Sequence, residues 1–414
     1  MAARFRWIIP LLVLIFFDWY GFQVIKTVFS NPVVYLIYWS VAGAAYLVAL
    51  AVLAFGIRLN SKAARMYVTA VFFMLVVFKL LLSVFALTDD LVRLVKTVGL
   101  WMSSGNMQSP WAERSVWLCT VGMALAAVPL LAMLYGMLRN PYRYKIQHIA
   151  LRLPNLPAGL KGFKIVQISD IHTGSFTTSK PLRRAVGLIN NLNADAVFFT
   201  GDLVNNYAKE ALPYIEVFAD IKAPHGVFSI LGNHDYGDYA QWPSEQAYRQ
   251  NFEDMKDIHR RLGWKLLLNS HHIITHQNHK IAIIGVENWS ASPRFKKYGN
   301  LHAAYKGAEH ASLKLLLSHD PSHWRAEVLP KFPDIAATFS GHTHAFQFGI
   351  NLPFFKWSPV KWMYKEWYGL YETGKQFLYV NPGFGFVAYP GRVGFRPEVT
   401  VFELHPLHSN PATP

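Results

Sequence analysis

Ile168-Ser-Asp-Ile-His-Thr-Gly174 is the stretch whose reading decides the fold. It closes an apolar run, Phe163-Lys-Ile-Val-Gln-Ile168, with Asp170-x-His172 and a glycine. On an extended strand, residues i and i+2 point to the same face. A carboxylate and an imidazole can therefore be aimed at one point just past the strand end. Four later segments end alike: Gly201-Asp202, Gly232-Asn233-His234-Asp235, Ser318-His319-Asp320 and Gly341-His342-Thr343-His344. Each follows a run rich in Val, Ile, Leu or Phe, the composition of a buried strand. Any one of them is ordinary turn chemistry; the ordered set points to a metal centre.

Asp170, His172, Asp202, Asn233, His319, His342 and His344 together offer imidazoles, carboxylates and an amide oxygen. That is enough for two divalent ions if one carboxylate bridges them. Mixed His/Asp/Asn ligation suits Mn²⁺, Fe²⁺ or Zn²⁺ and argues against a thiolate site, because Cys119 is the only cysteine. Two ions about 3.5–4 Å apart can clamp a phosphate for in-line attack.

Outward from the first motif, the apolar runs predict strands at 163–169, 196–200, 226–231, 265–268, 281–286, 314–318, 336–339, 377–380 and 400–404. Residues 180–192, 244–262 and 303–313 read as helices. Strand–helix alternation early and hairpin-like pairing later predict a mixed α/β or layered sandwich domain over 163–407. Residues 141–162, with Pro141, Pro154 and Pro157, read as a connector, and 408–414 as a tail.

The first 140 residues have another character. Four segments are long enough to cross a bilayer, near 7–29, 33–57, 66–87 and 115–138, and the first is read as a retained span rather than a leader. Arg4 and Arg6, then Arg58, Lys62 and Arg65, then Arg139, Arg143 and Lys145 fall on one side, which the positive-inside rule places in the cytoplasm. The spacing of Leu91, Leu94, Val95 and Val98 suits a separate amphipathic helix on the outer surface. Asp18 and Lys79 lie inside spans and read as a snorkelling or paired structural couple. The single cysteine leaves no intrachain disulfide and fits a reducing compartment. No dense Lys/Arg cluster suggests nucleic acid. The segment Phe354-Phe-Lys-Trp357 through Lys361-Trp-Met-Tyr-Lys365 to Trp367-Tyr368 interleaves aromatics with lysines. It reads either as a membrane interface or as a packed loop over the sheet.

The ordered motifs resemble the calcineurin-like metallophosphoesterase superfamily, over roughly residues 150–405. The resemblance implies an αββα sandwich, a four-layer α/β domain, here behind a four-helix transmembrane region. It implies that Asp170, His172 and His344 serve one metal and Asn233, His319 and His342 the other, with Asp202 bridging. His234 would act on the leaving group, with Asp235 orienting it. The C-terminal Tyr368-Gly-Leu-Tyr, Leu378-Tyr-Val-Asn-Pro-Gly-Phe-Gly and Arg396-Pro-Glu-Val are similar to a membrane-associated branch. Many relatives read Gly-His-Thr-His-Gly-Gly-Gln, whereas this chain has Ala345-Phe346-Gln347, which removes two flexible residues and adds an aromatic wall. The expectation is an integral protein of the inner or plasma membrane with a cytoplasmic, hydrolytic phosphoesterase domain. Its expected partners are the lipid bilayer and a lipid-linked phosphate such as UDP-2,3-diacylglucosamine. Soluble nucleotides or phosphoproteins, or a ligand-sensing role, are the alternatives.

Overall fold

The computed structural model describes residues 8–53, 62–108 and 110–407. Arg4, Arg6, Arg58 and the tail 408–414 lie outside them. The chain divides into two compact units, residues 1–135 and 136–414.

In the first unit the apolar runs form α1 (Ile8–Val28), α2 (Pro32–Leu53) and α3 (Lys62–Ser104), and α4 (Val116–Arg139) begins there. Among the described residues three helices are long and apolar enough to cross a membrane, and Pro32–Val48 is a shorter apolar stretch. Val24, Ile25, Leu82, Ala86, Cys119 and Ala126 are buried against one another, while many large apolar side chains face outward, as lipid-facing helices require. The separate surface helix expected after residue 87 is absent: α3 continues unbroken for 43 residues. Asp89 and Asp90, which could have capped a new helix, are engaged elsewhere. Ser115 N–H donates to Asp89 Oδ1 (3.0 Å), and the Arg114 guanidinium reaches both acids (3.1 and 2.9 Å). Asp18 and Lys79 pair across α1 and α3, Nζ to Oδ1 2.5 Å.

The second unit is built on two six-stranded mixed sheets. One has the order β1 (Lys145–Leu153), β14 (Glu398–Pro406), β2 (Lys164–Ile168), β3 (Ala196–Phe199), β4 (Val227–Ser229) and β5 (Lys265–Leu266). The other has the order β12 (Gly369–Thr373), β13 (Gln376–Val380), β9 (Ala337–Ser340), β8 (Leu313–Leu317), β7 (His279–Gly285) and β6 (Ser270–His276). Strands β2 to β5 are parallel, as are β13, β9, β8 and β7. Alternation assigns the faces. Ile281, Ile283, Leu315 and Leu317 meet Phe198, Phe228 and Phe402 between the sheets. Ala282, Ile284 and Leu316 face outward onto Leu301, Trp324 and Val328. On the first sheet's outer side, α6 (Glu245–Arg261) is tied to β4 by Ser229 Oγ–His259 Nδ1 (2.9 Å). The α5 helix (Lys180–Asn190) buries Leu182, Ala185, Val186 and Ile189. These are the layers of a helix–sheet–sheet–helix sandwich.

All nine expected strands form, with shifted ends. Residues 145–153, read from sequence as connector, are an edge strand parallel to β14, in register from Lys145↔Glu398 to Leu153↔Pro406. The helix expected at 303–313 is only α7 (Leu301–Tyr305); Gly307, at φ 100°, takes the chain out of it toward β8. A two-stranded hairpin, β10 (Ile350–Leu352) and β11 (Phe355–Trp357), belongs to neither large sheet.

Candidate metal centre

Strands β2, β3, β4, β8 and β9 end at one edge of the sandwich, and each of the five motifs begins there. The backbone at those ends is unusual. Asp170, His172, Asp202, His342 and His344 all have φ between 50° and 71°, the left-handed region that side chains other than glycine rarely enter. Such conformations persist where surrounding structure over-determines them. Here the surroundings are tight: a Cβ on Gly341 would lie 2.2 Å from Asp170 Oδ2, and one on Gly232 would lie 2.2 Å from Asp202 Oδ1.

Asp170, His172 and His344 form one group of converging ligand atoms, and Asp202, His319 and His342 a second. In the first, His172 Nε2 lies 3.0 Å from His344 Nε2, which is 3.2 Å from Asp170 Oδ1. In the second, His319 Nε2 lies 3.2 Å from Asp202 Oδ2, and His342 Nδ1 lies 2.8 Å from Asn233 Oδ1. Asp202 Oδ2 is also 3.6 Å from His172 Nε2, so this carboxylate stands between the groups.

The remote nitrogens fix which atoms face inward. His319 Nδ1 lies 2.7 Å from Thr200 O and His172 Nδ1 3.2 Å from Val204 O. A ring that donates from Nδ1 presents the Nε2 lone pair to the centre. Tyr239 does the same for Asn233: its hydroxyl accepts from Nδ2 at 2.9 Å, turning Oδ1 toward His342. His319 Nε2 is buried and faces only the Asp202 carboxylate. Two nitrogens 3.0 Å apart, buried carboxylates and inward-facing imidazoles make a donor set that fits divalent cations. Electrostatics agree. Burial pushes His172 down to about 3, which keeps it neutral. Burial works against charge on His319 too, yet the Asp202 carboxylate raises it to about 10. A proton and a cation thus compete for the same place.

The centre brings together all seven expected ligands, and His234 beside them, with its ring 5.0 Å from that of His172. Asp235 does something other than expected. Its carboxylate accepts backbone N–H groups of Asp202 (2.8 Å), Leu203 (2.8 Å), Val204 (3.2 Å) and Gly232 (2.9 Å). Burial and the Asp202 charge push it up to about 7. It clamps the turn carrying Asp202. The His234 ring is oriented instead by Asn205 O, 2.6 Å from Nδ1.

The matches to known sequences follow the two units. Residues 5–141 match the family described as "Probable Calcineurin-like phosphoesterase, transmembrane domain", and residues 163–346 match "Calcineurin-like phosphoesterase". The chain belongs to the calcineurin-like phosphoesterases. It is 29% identical over 285 residues to a zebrafish (Danio rerio) "Transmembrane protein with metallophosphoesterase domain", covering 67% of this chain and 61% of that protein. The match therefore spans about three fifths of that relative's length. A Bacillus subtilis metallophosphoesterase, YkuE, is 29% identical over 65% of this chain and 89% of its own length. The "UDP-2,3-diacylglucosamine pyrophosphatase LpxG" of Chlamydia muridarum is 34% identical, over only 28% of this chain and 36% of its own.

This calcineurin-like centre contains residues that motif reading passed over. Tyr364 OH is 2.7 Å from His342 Nε2 and donates to Asp320 Oδ2 at 3.1 Å. Asp320 directly follows the candidate ligand His319, and Tyr364 lies in the aromatic stretch, so both were in view without a role. Arg392 is fully buried, donating to Pro382 O (2.7 Å) and Gly385 O (3.0 Å), with Nη2 3.3 Å from His344 Nδ1. Gly385 N–H in turn donates to Asp170 O at 2.9 Å. No spacing rule could have pointed to Arg392.

Proposed function

We propose that this protein is a membrane-anchored, two-metal hydrolase of a phosphate ester or diphosphate carried on a lipid, with its catalytic unit on the cytoplasmic side. The side assignment rests on Arg65, Arg139, Arg143 and Lys145 flanking the spans. The two clusters would hold Mn²⁺, Fe²⁺ or Zn²⁺, with Asp202 shared, and such ions stabilise charge on phosphoryl oxygens. His234 acts from the side. With Nδ1 committed to Asn205 O, its Nε2 is left to hold or deliver a proton at the leaving oxygen.

One observation carries the substrate class. A groove of about 780 Å³ has walls that include Arg294, Phe295, Trp362, Met363, Tyr364 and Lys365, and Tyr364 and Phe295 also touch His342. Phe295 meets the His342 ring edge-on at 4.8 Å. Apolar walls with cations suit an acylated, anionic leaving group. The short match to LpxG, whose name gives a diacylated nucleotide sugar, supports this reading. The test is turnover by the full chain in mixed micelles. An acylated diphosphate should be hydrolysed faster than its water-soluble headgroup analogue. Equal rates would assign the centre to soluble nucleotides or phosphoproteins.

A further inference from the structure

The aromatic stretch that sequence left with two readings is divided by the structure. Tyr364 is turned inward to the metal centre, and Trp367 and Tyr368 pack on Phe395, with ring centroids at 5.5 and 4.9 Å. Ser358 and Val360 are buried, and Ser358 Oγ donates to Ala345 O at 2.8 Å. These residues pin the segment to the domain. The rest of it faces away. At the β10–β11 hairpin Phe354 is 87% exposed, and Ile350, Leu352 and Phe355 are exposed with it; beyond the hairpin Trp362 is 73% and Met363 57% exposed. Trp357 supports Trp362 edge-on at 5.7 Å. A loop packed over a sheet would hide these rings. Lys356, Lys361 and Lys365 lie among them, and no Asp or Glu occurs from Ala345 to Lys365.

We propose that residues 350–365 are a second membrane-contacting element, a hairpin and adjoining turn that seat on anionic lipid of the bilayer crossed by the helices. Rings at the hairpin tip enter the interfacial layer, where aromatic side chains are favoured. The three lysines meet lipid phosphates at its surface, and with no acid in the segment nothing repels that surface. The anchored side places Tyr364, at the head of the groove, directly behind the seated face. The inference stands on exposure and charge, and holds whichever phosphate ester the centre hydrolyses.

The test uses the full chain in nanodiscs, in a Cys119→Ser background. An environment-sensitive fluorophore is placed through Phe354→Cys, through Met363→Cys, and through Lys375→Cys at the exposed β12–β13 turn as reference. In discs containing anionic lipid, the labels at 354 and 363 should shift to the blue and be quenched by a lipid-borne nitroxide. The label at 375 should be quenched only by aqueous iodide. Replacing Lys356, Lys361 and Lys365 by Gln, or using neutral lipid, should weaken the blue shift. Iodide quenching at 354 and 363 equal to that at 375 would overturn the proposal. So would shielding that appears only in discs holding two copies, which would make the face a contact between chains.

Discussion

Each unit buries charge, and the two do so in opposite ways. In the helical unit Asp18 is matched one to one. Lys79 Nζ lies against one of its carboxylate oxygens, the Tyr46 hydroxyl donates to the other, and Tyr38 OH donates to its backbone carbonyl at 2.9 Å. In the catalytic unit Asp170 and Asp202 are as deeply buried, but most of what surrounds them is imidazole with its lone pairs turned inward. The first arrangement is complete within the protein. In the second, a proton on His319 and a bound cation are alternative ways to balance the Asp202 carboxylate. Buried ionisable groups are a weak guide to function by themselves; whether their partners satisfy them separates an anchor from a reaction centre.

The largest expected effect tests the incomplete site. Asp202→Ala removes the acid that stands between both clusters. It should cost both ions and several kcal/mol of transition-state stabilisation, or about a thousandfold in turnover. His234→Ala should also slow turnover, by about a hundredfold, while leaving metal content intact in elemental analysis. If Asp202→Ala kept its metal, the bridging assignment would be wrong.

The complete site should respond differently. Lys79→Met leaves a buried carboxylate unpaired and should cost about 3 kcal/mol, read as thermal stability in detergent. The double variant Asp18→Asn, Lys79→Met should recover most of that loss, since replacing both partners of a buried pair is often nearly neutral. Metal content should not change in either. A change in metal content would link this pair to the catalytic chemistry and break the contrast.

These differences bear on what could be read from the chain. The candidate ligands were legible because each motif is local: a run of β-formers, then a potential donor at its end. Residues joined to them across the fold were not. Arg392 reaches the centre only because β14 returns beside β2 and the loop before it folds under Asp170. Strand β1 has no alternation strong enough to mark it and gains its place by pairing with β14. The third long helix was divided because the spacing of Leu91, Leu94, Val95 and Val98 suits a surface helix, and the contacts of Asp89 and Asp90 with Arg114 and Ser115 are made by residues distant in sequence. Ala345 and Phe346 are a subtler case. Their substitution for glycines implied a lost flexible turn, yet they hold φ of 47° and 58°. The left-handed path is kept, at a cost on the order of 1 kcal/mol or more per residue.

The smallest effect concerns Tyr364, which lines the groove and touches His342 of the metal centre. His342 presents Nδ1 toward Asn233 and Nε2 to the Tyr364 hydroxyl, which donates to Asp320. Asp320 is held in turn by the Ser322 backbone N–H at 2.8 Å. A histidine whose outer N–H is bound in this way has one orientation and one free lone pair, and loss of such partners typically costs ten- to a hundredfold in metal affinity. Tyr364→Phe keeps the ring, and so the groove wall, while cutting the relay. Because His342 Nε2 is already 3.5 Å from Asp320 Oδ2, a small shift or a water can restore part of the link. The loss should therefore sit near the lower end, about tenfold, seen as one of two ions becoming easier to remove in a chelator titration. Asp320→Asn should move metal retention in the same direction. If Tyr364→Phe retains both ions as the native chain does but loses turnover only on the acylated substrate, the hydroxyl serves the groove, and the second cluster is complete without it.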